Sequence, residues 1–488
     1  MPETVSIAID KLEAAGFEAF TVGGCVRDIQ LNRTPSDWDI TTNALPKQTA
    51  EVFKDFRIVP TGIKHGTVTV IINGMPLEIT TYRTDGEYTD NRHPKSVSFT
   101  GDLTEDLSRR DFTINAMAYS EKCGLVDKFG GSADIRSRLI RTVGDPDRRF
   151  NEDALRMMRA LRFASVLDFE IEENTKKSIL KNRELLKNIS SERISDELIK
   201  FLCGEGKRVT ELLIEFRDVI AVVIPELKPC FDFDQKNKHH AYDVYTHMAY
   251  SVGYSKPDPE VRFSLLLHDI GKPSCFFTDE NGVGHFYGHG EKGAQTVEKI
   301  VKRLKLSSQF QNDAVTLVRY HDYPVTPDKK TVKRRLNKFG PRMLGKIMLV
   351  KEGDSLAHST GYAKPLDEIR AVCVSIDEVL SEEECFSLKK LNISGRDLLG
   401  IGFTAGPEIG KVLNSLLEKV IDESVPNEHE SLMKLAEEFD TPVLRTAQAT
   451  SYFTSTLHTE YVLYIDNSDT ANLYKVSDYI GRISDKRY

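Results

Sequence analysis

A multidomain α+β protein, with a mixed α/β amino-terminal part and a long helical remainder, is what the sequence predicts, and three observations carry it. Up to about residue 145, short β-branched runs such as "HGTVTVII" and "LEITTY" alternate with helical stretches and with Gly, Asn and Asp turns. After about residue 150 the strand signals nearly vanish, and amphipathic patterns such as "EDALRMMRALRFASVL" and "AVTLVRYHD" take over. The 488 residues are also enough for roughly two to four domains with ample core.

Composition narrows the function classes. No apolar stretch approaches the length of a membrane span, and the amino terminus lacks the basic-then-apolar order of a signal peptide, so the expectation is a cytoplasmic protein without a membrane partner. The seven cysteines are scattered with no CxxC pair, which builds neither a zinc framework nor a disulfide lattice and agrees with a reducing compartment. A net charge of -8 argues against non-specific coating of nucleic acid but leaves room for a local basic surface.

The first chemical motif is "FTVGGCVRDIQL", where a β-like run meets Gly23 and Gly24 and opens into a helix carrying Arg27 and Asp28. Glycines let backbone amides approach an anion, a helix amino terminus adds partial positive charge, and an arginine one turn in clamps phosphate oxygens. A few residues on, "TPSDWDITTN" places Asp37 and Asp39 around Trp38, the chain's single tryptophan. Carboxylates two apart on a strand share a face and repel unless a cation sits between them and their targets, and Mg²⁺ is the usual cation for clustered hard oxygens. Glu78, in "PLEITTYR", is a candidate third carboxylate on a neighbouring strand.

Next, "LSRRDFTINAMAY" sets Arg109 and Arg110 before Asp111, and "NEDALRMMRALRF" carries Glu152, Asp153, Arg156, Arg159 and Arg162 in what reads as one helix. On that helix Asp153, Arg156 and Arg159 would span roughly a third of the circumference and address one ligand, while Arg162 falls nearer the apolar face. Cytosine and adenine both present an exocyclic amine beside a ring-nitrogen acceptor, so Asp153 can accept from the amine while Arg156 donates to the ring nitrogen. Guanine and uracil present the reverse order and would leave both groups unpaired, at roughly 1–3 kcal/mol or more each.

"GGCVRD", "SDWDI", "RRDFTINAMA" and "EDALRMMRALRF", in this order, resemble the class II tRNA nucleotidyltransferase and poly(A) polymerase family of the polymerase-β-like superfamily, and the resemblance reaches to about residue 440. It implies a polymerase-β-like α/β catalytic head over 1–145, a helical neck with the nucleobase-selecting motif over 146–230, a helical body over 231–375 and a tRNA-binding helical tail over 376–440. A mixed extension without functional account would follow over 441–488. The resemblance further implies that Asp37 and Asp39 hold catalytic Mg²⁺, that Gly24 and Arg27 contact the triphosphate, and that Arg110 and Asp111 sit at the sugar and phosphates. The reaction implied is template-independent addition of C and A from CTP and ATP to the tRNA 3′ end.

Within the family, the polar stretch "YRTDGEYTDNRHPKSVSF" is a full-length loop, which favours CCA completion or addition of the terminal A over addition of C alone. Poly(A) polymerases of the family usually carry an arginine-rich signature near this strand that "HGTVTVIINGMPLEITTYRTD" lacks, which makes poly(A) tailing the runner-up, with A-only addition the other alternative.

In the helical half, "YDVYTHMAYS", "LLLHDIGKP", "HFYGHGEKG", "VRYHDYP" and "KEGDSLAHS" resemble the HD phosphohydrolase superfamily. The resemblance implies one divalent ion on His247, His268, Asp269 and Asp354, with His289 and His321 as ligands of a second. Imidazole with carboxylate suits Mn²⁺, Ni²⁺, Co²⁺ or Fe²⁺. The alternative of another class is therefore a metal-dependent HD phosphohydrolase, acting as phosphatase or cyclic phosphodiesterase. Finally, "PDKKTVKRRLNKFGPRMLGK" gathers a basic run suited to RNA phosphates, and "ISGRDLLGIGFTAGPEIGKVLNSLLEKV" resembles the family's tail, which grips the tRNA elbow.

Overall fold

The computed structural model describes residues 1–59, 66–86, 97–236, 242–358 and 366–439. The chain packs as two units, residues 1–318 and Arg319 onward. In the first, β1 (Ala19–Val22), β2 (Asp39–Thr42), β3 (Arg57–Val59), β4 (Thr67–Ile72), β5 (Met75–Thr81), β8 (Met117–Ser120) and β9 (Gly124–Asp127) form one sheet in the order β3-β4-β5-β2-β1-β8-β9. Between β5 and β8 in the chain, β6 (Arg83–Asp85) and β7 (Val97–Phe99) pair as a separate ribbon. All sheet neighbours are antiparallel except β2 and β5, which run parallel with Asp39 beside Glu78.

Period-two patterning sets the faces. Val68, Val70 and Ile72 of β4 and Leu77 and Ile79 of β5 are buried, so Glu78, between the last two, faces outward. Phe20, Val22, Tyr82, Leu107 and Ala118 form a core cluster under the sheet. After the sheet come Pro146–Glu152, whose amino end is capped by Asp145 accepting from Arg148 N, and Leu155–Leu167.

These two helices correct the expectation of one continuous helix through Glu152, Asp153 and Arg162. The backbone at Asp153 is extended, at φ −140° and ψ 104°. There the Asp153 carboxylate accepts from Leu155 N at 3.1 Å and from Arg193 Nη2 at 2.8 Å. A side chain that bonds its own backbone two residues on competes with the helical ladder, and the break follows. Leu155–Leu167 then packs against Ser191–Leu202. The helices Gly206–Glu215, Arg217–Val223, Val244–Tyr254, Pro259–Leu267 and His289–Arg303 continue the unit.

In the second unit Lys329–Leu356 breaks at Gly340, whose φ of 72° suits glycine, immediately before Pro341. It packs on Leu366–Ser381 around Val332, Leu336, Leu344, Met348, Val372 and Ile376. The basic run at its start is largely paired: Lys329 with Glu382 and Glu384, Lys333 with Glu384 and Glu423, Arg334 with Glu418 and Asp422. Gly395–Gly400, Pro407–Ile421 and His429–Phe439 close the unit around Leu398, Leu416, Ile421 and Leu432. The expected extension over 441–488 and most of the polar loop lie outside the described residues. Among the described residues no helix is long and apolar enough to cross a membrane.

Candidate active site

Asp39 opens β2 and Asp37 stands two residues before it. Both are exposed, whereas Trp38 between them is buried. With Glu78 paired to Asp39 across the parallel strands, three carboxylates gather at one margin of the sheet. Desolvation of the Asp39 carboxylate raises its pKa, Glu78 and Asp37 push it further, and Arg110 opposes them. Clustered hard oxygens whose charges disfavour one another are a donor set that fits Mg²⁺.

Above this margin lies the glycine turn. Gly23 has φ +82°, a conformation that favours glycine, and a Cβ there would stand 2.9 Å from Arg110 Nη1, so the residue lets that guanidinium approach the turn. Gly24 begins the helix Gly24–Gln30, which carries Arg27. Asp106, wholly buried, holds both arginines of the "RRD" motif: Arg109 through Nε and Nη2 at 2.9 and 2.8 Å, and Arg110 Nη2 at 3.7 Å. It also accepts from Thr41 Oγ1 at 3.2 Å and Arg83 N at 3.3 Å.

From Arg27 a continuous polar network runs across to the long helices. Arg27 Nε and Nη2 donate to Asp28 Oδ1, and Nη1 donates to Asn115 Oδ1 at 2.7 Å. Asn115 Nδ2 donates to Asp111 Oδ1, and Asp111 Oδ2 accepts from Arg159 Nε and Nη2 at 2.8 and 2.7 Å. Glu197 then meets Arg159 Nη1 at 3.5 Å and Arg162 Nε at 2.6 Å. Burial alone would raise the Asp111 pKa, but the Arg159 guanidinium, aided by Asn115, brings it down to about 2.

Arg156 is buried and anchored: Nη1 donates to Arg149 O at 3.1 Å and Glu152 Oε2 at 2.8 Å, and Nη2 donates to Arg109 O at 2.9 Å. The structure thus brings Gly24, Arg27, Arg110, Asp111, Arg156, Arg159 and Arg162 onto connected surfaces, with Asp153 held at the helix break by Arg193. Sequence reasoning missed Asp106, Asn115, Arg193 and Glu197. Asp106 had a local signal in its i, i+3 and i, i+4 spacing to Arg109 and Arg110, and Asn115 had one in lying four residues after Asp111.

The second constellation centres on Asp269, buried in the first unit. His268 Nε2, His289 Nε2 and His247 Nε2 approach its oxygens at 3.3, 3.5 and 3.7 Å, and Lys272 Nζ lies 2.6 Å away. Burial alone would raise the Asp269 pKa, but Lys272, His268 and His289 hold it well below the usual carboxylate range. His268 Nδ1 is bonded to Leu265 O and His289 Nδ1 to Phe286 O, an arrangement that turns each Nε2 toward Asp269 and fits metal ligation. His321 and Asp354, the other two residues of that expectation, belong to the second unit. His321 is buried, and Asp354 Oδ1 lies 3.6 Å from His358 Nδ1.

Fold and site together define a nucleotidyltransferase with a poly(A)-polymerase type of head. Residues 19–141 match the poly A polymerase head domain family, 168–231 the probable RNA and SrmB-binding site of polymerase A, and 291–436 the putative tRNA nucleotidyltransferase domain 2. The CCA-adding enzyme of Lactobacillus helveticus is 34% identical over 436 residues, 88% of this chain and 96% of that one. That of Levilactobacillus brevis is 33% identical over 439 residues, 89% and 98% of the two chains. The crystal structure of the Bacillus stearothermophilus CCA-adding enzyme in complex with CTP superposes with a TM-score of 0.67 at 28% identity, covering 92% of this chain and all of that one. The chain belongs to the CCA-adding enzyme family of class II nucleotidyltransferases.

Proposed function

We propose that this protein adds C and A from CTP and ATP to the 3′ end of tRNA, completing or repairing CCA without a nucleic-acid template. The observation that carries the reading is the Arg27–Asn115–Asp111–Arg159 network beside the Asp37, Asp39 and Glu78 carboxylates, in a chain related to CCA-adding enzymes along most of its length. Asp37 and Asp39, with Glu78 beside them, would hold Mg²⁺, which would supply activation of the RNA 3′ hydroxyl and charge neutralisation on the leaving pyrophosphate.

The residues around it do the rest. Gly24 and Arg27 take the triphosphate, and Arg110 and Asp111 meet the sugar and phosphates. Asp153 accepts from the exocyclic amine of cytosine or adenine while Arg156 donates to the ring nitrogen. The carbonyls of Arg149 and Arg109 and the Glu152 carboxylate fix the Arg156 guanidinium before a base arrives, so little freedom is lost on binding. Arg159 and Arg162 close the base side of this wall. The reading places the protein with its tRNA substrate in the cytoplasm.

The test gives purified protein Mg²⁺, CTP and ATP with tRNAs ending before CCA and after CC, and sequences the ends. Both substrates should finish at CCA. Extension of the CC-ended tRNA alone would make this an A-adding enzyme, and long adenosine tails would make it a poly(A) polymerase.

A second reading concerns Asp269: with His247 and His268 it would hold a divalent Mn²⁺, Ni²⁺, Co²⁺ or Fe²⁺ ion, His289 serving a second ion, and the metal would supply water activation against a phosphoester. Three imidazoles aimed at one buried carboxylate, two of them fixed by carbonyls, support it. Calorimetric titration with Mn²⁺ in an Asp37→Ala background isolates this site, and tight binding should vanish on His268→Ala. Binding unchanged by that substitution would sink the reading.

A further inference from the structure

Phe163, on Leu155–Leu167, is only 7% exposed, and three guanidinium groups meet at its ring. The Arg162 Cζ lies 4.1 Å from the ring centroid, Arg27 Cζ 5.2 Å and Arg159 Cζ 5.3 Å. The ring itself is held edge-on by Phe112, with centroids 5.8 Å apart and planes at 80°. Arg27 comes from the short helix after the glycine turn, whereas Arg159 and Arg162 share the helix of Phe163. One aromatic face system therefore touches cations from both ends of the polar network.

Three like charges around one point repel, and the nearby carboxylates and the Asn115 amide restrain each guanidinium only at some of its N–H edges. Asp28 and Asn115 hold Arg27, Asp111 and Glu197 hold Arg159, and Glu197 holds Arg162. A ring adds what they lack, a negative π face that attracts each cation and fixes how it lies. An aliphatic side chain of similar bulk would fill the space without that attraction.

We propose that Phe163 is a positioning residue that sets Arg27, Arg159 and Arg162 relative to one another, so that the phosphate end and the base end of the nucleotide site form one preorganised cationic surface. This rests on the reading of that wall as the nucleotide site. Loss of the ring then weakens nucleotide binding while leaving the RNA end and the carboxylate margin alone.

The experiment compares Phe163→Leu and Phe163→Tyr with wild type in C addition to tRNA lacking CCA, and measures CTP affinity directly by equilibrium dialysis. Phe163→Leu should raise KM for CTP about tenfold, within the range of desolvated cation–π contacts. Its kcat and its KM for tRNA should stay within about twofold, and Phe163→Tyr, which keeps the ring, should restore CTP binding. Equal CTP affinity in the Leu and Tyr variants overturns the proposal, as does a parallel rise in both KM values, the mark of a loosened core. Should Phe163→Leu fail to fold, Phe163→Met carries the same comparison. If wild type extends no tRNA, the functional reading fails by itself, and dialysis against CTP still decides the role of Phe163.

Discussion

Asp39 and Asp111 are both carboxylates near arginines, yet their surroundings push them in opposite directions. Desolvation, Glu78 and Asp37 raise the proton affinity of Asp39 against the pull of Arg110, and a bound cation would relieve that repulsion. Asp39→Asn should remove transfer by about a thousandfold or more, the scale of losing a metal ligand that stabilises transition-state charge, with the fold intact by circular dichroism. Asp111 already has its cation, and its folded pKa of about 2 lies below the unfolded value of roughly 3.9. A depressed carboxylate pKa contributes stability that is present above the unfolded value and lost as pH falls through the folded one. Urea unfolding of wild type and Asp111→Asn should therefore differ by roughly 2 kcal/mol at pH 6. The gap should narrow between about pH 4 and pH 2, and a constant gap over that window would contradict the assignment.

At the scale of elements, the glycine turn, the carboxylate strand and the helical remainder were legible because each rests on local pattern: turn residues, β-branched alternation and helical periodicity. The break at Asp153 was not. "NEDALRMM" is made largely of good helix formers, and what stops the helix is an aspartate bonded to Leu155 N and to Arg193, forty residues on. Glu197 escaped for the same reason, since on Ser191–Leu202 it reads as an ordinary charged position until that helix packs against Leu155–Leu167. Its carboxylate, nearly buried, is shared by Arg159 and Arg162. Glu197→Gln would take from Arg162 its carboxylate partner and leave Arg159 with Asp111 alone. Because both arginines retain some solvent access, the expected cost is roughly 2–3 kcal/mol rather than that of a fully buried pair. Urea titration should show it, with partial recovery as ionic strength rises.

Over the whole molecule the net charge of -8 poses a problem for a protein that must hold an RNA, and the basic run 327–346 offered an answer that the structure trims. Lys329, Lys333 and Arg334 spend their charge on Glu382, Glu384, Glu418, Asp422 and Glu423, while Lys330 Nζ donates to Asp422 O. Arg335 and Lys338 do otherwise. Arg335 lies 4.5 Å over the Tyr323 ring and Lys338 4.4 Å over that of Tyr320, and neither meets a carboxylate among the described residues. Only cations not already neutralised within the protein can displace the counterions condensed on RNA phosphates, so these two should account for most of the run's contribution. In tRNA binding measured across salt concentration, Arg335→Ala and Lys338→Ala should each lower the log–log slope by about 1. Lys329→Ala and Arg334→Ala should leave the slope unchanged and lower thermal stability instead. A slope that fell equally for all four would mean that RNA pulls the paired cations away from their glutamates and aspartates, and the tail's charge pairing would then be an exchange between internal and RNA partners.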